Sequence, residues 1–180
     1  MQANDLRYQE KYTFRDYEKW DGDWELIYGN AFAMSPSPVF EHQYVSGEIF
    51  RQLHEQLEAC PKCQVIYEMD WNISDETVVG PDIMVVCGHI GERVVKAPVI
   101  IFEVTSRQNA KRDEILKFEL YRIEGVEFYG IVYPQFNKVK LYKLLDDKYK
   151  KINDFTNEIF ALDIKDCKIK IDFSKIWLKK

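Results

Sequence analysis

The chain lacks any apolar run near the ~20 residues that a helical membrane span requires. Its opening, "MQANDLRYQEKYTF", lacks the apolar core of a secretory signal, so a cytoplasmic location is expected. The four cysteines, Cys60, Cys63, Cys87 and Cys167, are too few and too scattered for a disulfide framework, and reduced thiols are expected. No internal repeat or low-complexity tract is present. Neither a Gly-x-Gly-x-x-Gly fingerprint nor a phosphate-binding loop ending in Lys-Ser or Lys-Thr occurs, and "GHIGER" reads as a turn with two glycines. "CPKC" is a lone pair, whereas structural zinc normally takes four ligands. Cys87, Cys167 and the three histidines show no ligand spacing, so the pair reads as a turn between helix and strand, and zinc is not expected there.

What is present describes an ordered globular chain. Its 180 residues are 46% hydrophobic and 31% charged, enough for one domain over 1–180 with a real core, residues 1–12 being expected loose. The net charge of −5 divides unevenly: residues 1–80 hold 6 Lys/Arg against 15 Asp/Glu, and residues 81–180 hold 19 against 15. That asymmetry permits a positive face for nucleic acid, while the acidic total counts against tight nonspecific DNA binding.

Periodicity supplies the elements. "TFRDYEKW" opens a short helix with Thr13 as N-cap. "WELIYGNAFAM" reads as two strands reversing around Gly29-Asn30, followed by the loop "SPSP". From Glu41 to about Ala59, Val45, Ile49, Leu53 and Leu57 recur at helical spacing. His42 lies on that face and reads as a packed, hydrogen-bonded core histidine; Glu41 and Glu48 lie along one edge of it. "CQVIYEMDWNI" reads as one strand and "SDETVVG" as a loop, before the apolar strands "PDIMVVC" and "APVIIFEVTS". A second helix is expected over Asn109–Glu124, capped by Asn109 or Ser106 and stopped by Gly125. "VEFYGIVYP" follows as a strand, then a hairpin around Asp146-Asp147. "CKIKIDF" alternates as an edge strand with one wet face does. The expected class is mixed α/β, a central sheet flanked by helices.

Two acids interrupt the apolar strands, Asp82 in "GPDIMVV" and Glu103 in "IIFEVTS". Burying a lone carboxylate is costly. If the two strands form an antiparallel hairpin with its turn centred between Glu92 and Arg93, Asp82 and Glu103 oppose each other, with Cβ atoms roughly 5 Å apart. Thr105 shares their face and Val104 points away. Such carboxylates repel unless a cation lies between them. The bland alternative pairs each with a nearby Lys or Arg, and "KRDEILK" offers several.

These stretches, with "AKRDEILKFELYRIEGVEFYGIVYP", "WELIYGNAFAMSPSP" and "EHQYVSGEIFRQL", resemble the Uma-type restriction-endonuclease family of the PD-(D/E)XK nuclease superfamily. The resemblance covers roughly residues 13–145. It implies a restriction-endonuclease-like core, with an extra N-terminal hairpin and C-terminal strands. It also implies Mg²⁺- or Mn²⁺-dependent hydrolysis of phosphodiester bonds in nucleic acid, DNA first. Pro81-Asp82 and Glu103 match the two acidic elements, with the carbonyl oxygen of Val104 as a further metal ligand. The superfamily lysine would fall at Thr105. The family pattern carries it in the next helix, which matches Lys117, with Lys111 as the alternative. Glu25, Glu41 or Glu48 would add a carboxylate for a second metal. A nuclease fold that binds nucleic acid or a partner without cutting is the competing reading, and the strands near the C-terminus leave room for a homodimer.

Overall fold

Val, Ile and aromatic residues, which fit a pleated and half-buried surface, gather in the segments that build the sheets. The computed structural model describes residues 10–34, 39–106 and 110–179. In chain order it begins with helix α1 (Phe14–Tyr17), strands β1 (Trp24–Ile27) and β2 (Asn30–Ala33), and helix α2 (Phe40–Leu57). Strands β3 (Cys63–Tyr67), β4 (Trp71–Ser74), β5 (Thr77–Val79), β6 (Ile83–Cys87) and β7 (Ile100–Val104) follow. A π-helical stretch, Arg112–Lys117, runs into α3 (Phe118–Ile123). Strands β8 (Phe128–Tyr133), β9 (Lys138–Leu145), β10 (Lys148–Phe155), β11 (Ile159–Ile164) and β12 (Cys167–Asp172) complete the described chain.

The main sheet has the order β10-β9-β8-β7-β6-β3, with β7 and β8 parallel and the other neighbours antiparallel. This is the expected mixed sheet. One face packs on α2 through Val45, Ile49 and Leu53, joined by Ile83, Val85, Ile100, Phe102 and the β11–β12 hairpin. The other face packs on α3 and on a smaller antiparallel sheet, β2-β1-β5-β4, through Met84, Ile101, Leu120, Tyr121, Tyr129 and Trp71. A Cβ on Gly130 would lie 2.3 Å from the ring of Phe102, its neighbour across β7 and β8. Only glycine at this position leaves room for that ring. Among the described residues no helix is long and apolar enough to cross a membrane.

The β6–β7 register is the one required to oppose Asp82 and Glu103: Ile83 faces Phe102, and Met84 faces Ile101. The Asp146-Asp147 hairpin also forms, both residues with positive φ. Thr13 caps α1, where the Asp16 carboxylate accepts from the Thr13 N–H at 2.9 Å and from its hydroxyl at 2.8 Å.

Elsewhere the chain departs from expectation. The first hairpin turns one residue earlier, on Tyr28 (φ 51) and Gly29 (φ 74), a pair that matches strand twist as a primed turn does. "CQVIYEMDWNI" is two strands in different sheets, because Glu68 takes φ 45 and donates its N–H to the Asp82 carbonyl. "SDETVVG" contains β5, which pairs with both β1 and β4. The cysteines are not scattered free thiols: their sulfurs draw together, Cys60 with Cys167 and Cys63 with Cys87. Residues 1–9, the "SPSP" loop and the Asn109 cap lie outside the described residues. Residues 10–12 are described, and the Tyr12 N–H donates to the Gly29 carbonyl at 2.9 Å.

Candidate active site

Asp82 stands one residue before β6, where the chain leaves "GP" and enters the sheet. Its Oδ2 accepts from the Val104 N–H at 2.6 Å and from His42 Nε2 at 3.2 Å. Val104 thus enters the site through its N–H. His42 comes from the first turn of α2, on the opposite face of the sheet from α3, and reaches Asp82 around the strand end. Because a carboxylate only accepts, this hydrogen bond requires a proton on Nε2. Burial alone would lower the His42 imidazole, but the hydrogen bond and charge of Asp82 offset it and raise it above its ordinary value.

Glu103 is a β7 residue pointing to the α3 side, and it is only 3% exposed. Its Oε1 accepts from Lys117 Nζ at 3.0 Å and from the Tyr121 hydroxyl at 2.6 Å. Lys117 also lies 2.6 Å from Glu25 Oε1. Glu25, on β1, is fully buried, accepts from the Gly80 N–H at 3.2 Å and lies 3.5 Å from Arg112. Asp113 is buried one turn before Lys117 on the same helical stretch. That stretch buries Asp113, Lys117, Leu120 and Tyr121 and leaves Ile115 exposed. Its inner face is therefore charged before it is apolar, which is why hydrophobic patterning alone did not locate Lys117.

The electrostatics are unbalanced. Glu25, Asp82, Glu103 and Asp113 act on one another, while Lys117 and Arg112 are the permanent cations among them. Burial pushes the Glu103 carboxyl well above its ordinary value; Lys117 opposes this, and Asp82, Asp113 and Glu25 add to it. Burial likewise pushes the Asp113 carboxyl up to about 6, against the pull of Lys117 and the Thr105 hydroxyl. Burial would lower the Lys117 ammonium, but Glu103, Glu25 and Asp113 hold it well above its ordinary value. One buried ammonium does not neutralise this many acids.

The donor set suits a hard divalent cation. Among the described residues, the side-chain bonds at Asp82 fall on Oδ2 and those at Glu103 on Oε1, so Oδ1 and Oε2 could take a metal. No three acidic or histidine side chains among them converge as a ready-made cage. Mg²⁺ takes one or two carboxylates and fills its remaining positions with water and phosphate oxygens.

Of the residues singled out in the sequence, Asp82, Glu103, Val104, Lys117 and Glu25 are brought together. Lys111 is exposed. Glu48 pairs with Arg51 on the outside of α2, and Glu41 makes no bond to this group among the described residues. Asp113 and Tyr121 were missed. Each is spaced four residues from Lys117, and that spacing was the available signal. His42 was noticed, but its partner lies 40 positions away.

The Uma2 family model, described as a putative restriction endonuclease, matches residues 12–163. A crystal structure of "a putative nuclease belonging to DUF820 from Anabaena variabilis ATCC 29413" is similar with a TM-score of 0.74 and 14% identity. The match covers 92% of this chain and 97% of the other, and at that identity the likeness is one of fold. No curated protein matches the chain. With the family match running over most of its length, the chain belongs to the Uma2 family of putative restriction endonucleases.

Proposed function

We propose that the protein is a divalent-cation-dependent endonuclease of the PD-(D/E)XK type that hydrolyses phosphodiester bonds in nucleic acid, DNA first. The supporting observation is the surplus of carboxylate around Asp82 and Glu103, at the strand ends where the two acids oppose each other. Asp82 and Glu103 would hold Mg²⁺ or Mn²⁺, with the Val104 carbonyl as a further oxygen. Such a cation supplies Lewis acidity toward a phosphate.

The chain's own groups do the rest. His42 and the Val104 N–H fix one oxygen of Asp82, so its other oxygen faces the site in one orientation. Tyr121 does the same for Glu103. Lys117, held charged from the helix, takes the role that Thr105 has no group to fill. It orients the attacking water or offsets negative charge as it develops on the phosphate. We also propose a cytoplasmic location, with the C-terminal strands leaving room for a homodimer.

The competing reading, binding without cutting, draws support from the same lysine. Lys117 is tied to Glu25 at 2.6 Å, so its charge is already engaged. Incubation with plasmid, linear duplex, single-stranded DNA and RNA in Mg²⁺ or Mn²⁺ separates the two. The nuclease reading expects cleavage that a chelator stops, that Asp82→Ala and Glu103→Ala each abolish, and that Lys111→Ala leaves largely unchanged. Binding with no cleavage in any metal or substrate would favour the competing reading.

A further inference from the structure

All four cysteines of the chain meet at one place, at the end of β6 opposite Asp82. They arrive from three separate parts of the fold. Cys60 and Cys63 flank the turn after α2, where the Cys60 N–H donates to the Leu57 carbonyl at 2.9 Å and the Cys63 N–H to the Cys60 carbonyl at 3.1 Å. Cys87 is the last residue of β6, and Cys167 opens β12 directly after the Lys165-Asp166 turn. Cys63, Cys87 and Cys167 are buried, and Cys60 is half-buried.

The geometry points to a tetrahedral zinc site made by these four thiolates, and we propose that the reduced protein binds one Zn²⁺ there. Three observations favour a shared ion over two independent disulfides. Cys63 and Cys87 are directly opposed across β3 and β6 with Cα atoms 3.9 Å apart, below the roughly 4.4–6.8 Å that disulfides span. Sulfurs of different pairs also approach: Cys63 Sγ and Cys167 Sγ are 3.9 Å apart. Zinc–thiolate bonds of about 2.3 Å set tetrahedrally give a sulfur–sulfur edge of about 3.8 Å. Finally, a Cys-x-x-Cys turn is the usual first half of such a site. Its missing second half was the reason for not expecting zinc, and the fold supplies it as Cys87 and Cys167. The sulfurs stand in two pairs, Cys60 with Cys167 and Cys63 with Cys87, and reduction of both pairs would free four thiolates for one ion.

The ion would be structural. The β11–β12 hairpin belongs to neither larger sheet and is tied to α2 by Gln52 and Gln56, which bond the backbone of Asp172 and Lys170. A four-thiolate site would fasten that hairpin, the end of α2 and strands β3 and β6 at one point. It lies the length of β6 from Asp82, roughly 16 Å at about 3.3 Å per residue. Lys62, within the turn, lies 3.5 Å from Asp166 in the turn before Cys167, a further link between the two segments.

The test uses full-length protein purified anaerobically with reductant and without chelator. Elemental analysis is expected to find one zinc per chain. Cobalt substitution is expected to produce the absorption of a tetrahedral thiolate site. The four thiols should resist alkylation until a chelator removes the metal. Cys87→Ser and Cys167→Ser should each lose most of the zinc. Because those variants can fail to fold, the alkylation experiment on wild-type protein stands independently. Two disulfides with no bound metal, iron with inorganic sulfide in place of zinc, or zinc retained in both serine variants would each overturn the proposal.

Discussion

Lys117 on the helix and Glu103 on β7 meet at 3.0 Å, each side chain only 4% exposed. Glu25 on β1 takes the same ammonium at 2.6 Å. Three elements from separate parts of the chain are thus joined by one buried charge. Removing either partner of such a contact leaves the other buried and unpaired, which is worse than replacing both.

Lys117→Met is therefore expected to destabilise the fold at neutral pH by about 3–5 kcal/mol. Lowering the pH should recover part of the loss as Glu103 takes up a proton. Chemical denaturation at two pH values measures this. A variant as stable as wild type would show that the ammonium is not holding the site together.

His42→Ala is expected to weaken Mn²⁺ binding about 10–100-fold, the usual effect of losing a group that orients a ligand. Asp82→Ala should abolish binding. Calorimetric titration distinguishes these outcomes, and unchanged affinity in the His42 variant would remove it from the site.

Asp113 sets a pH dependence in the cation-free protein. Its carboxyl is raised from 3.8 to about 6, so the folded state holds a proton there that the unfolded state has released. The stability penalty is absent below about 4, grows as pH rises to about 6, and persists above it. Relative to Asp113→Asn, wild type should lose on the order of 1–3 kcal/mol across that window. Mg²⁺ should then raise the wild-type melting temperature more at pH 8 than at pH 5, since the ion binds the deprotonated form. A difference between the two chains that is flat with pH would contradict the assignment.

Gly130→Ala forces a methyl group into the ring of Phe102. Overpacking of this kind costs about 1–3 kcal/mol. Gly130→Ala combined with Phe102→Leu should recover part of it, because the smaller side chain vacates the space. Thermal denaturation of the single and double variants checks both.

Much of this molecule was legible from the order of its residues. Apolar spacing located α2, and alternation located β12. The β6–β7 register followed from asking how two acids on apolar strands could share a face, and Ile83 opposite Phe102 is that register. These features depend on neighbours in sequence or on one short connector, so local sterics and pattern decide them. The resemblance to the nuclease family identified Lys117, where periodicity failed. A buried charged face on the helix looks like a surface face, and the exposed Ile115 looks like core.

What the sequence alone determined was helices α1, α2 and α3, the six strands of the main sheet, the β6–β7 register and the family. The tertiary structure decided which distant groups complete them. Glu25 reaches Lys117 from 92 positions away, by residue number, because the small sheet packs against the helix. His42 reaches Asp82 because α2 ends its first turn at the open end of β6. Cys167 reaches Cys60 across 107 positions because the last hairpin folds back over α2. Loop-closure entropy grows only slowly with chain length, so packing between elements decides these meetings, and spacing in the sequence does not reveal them.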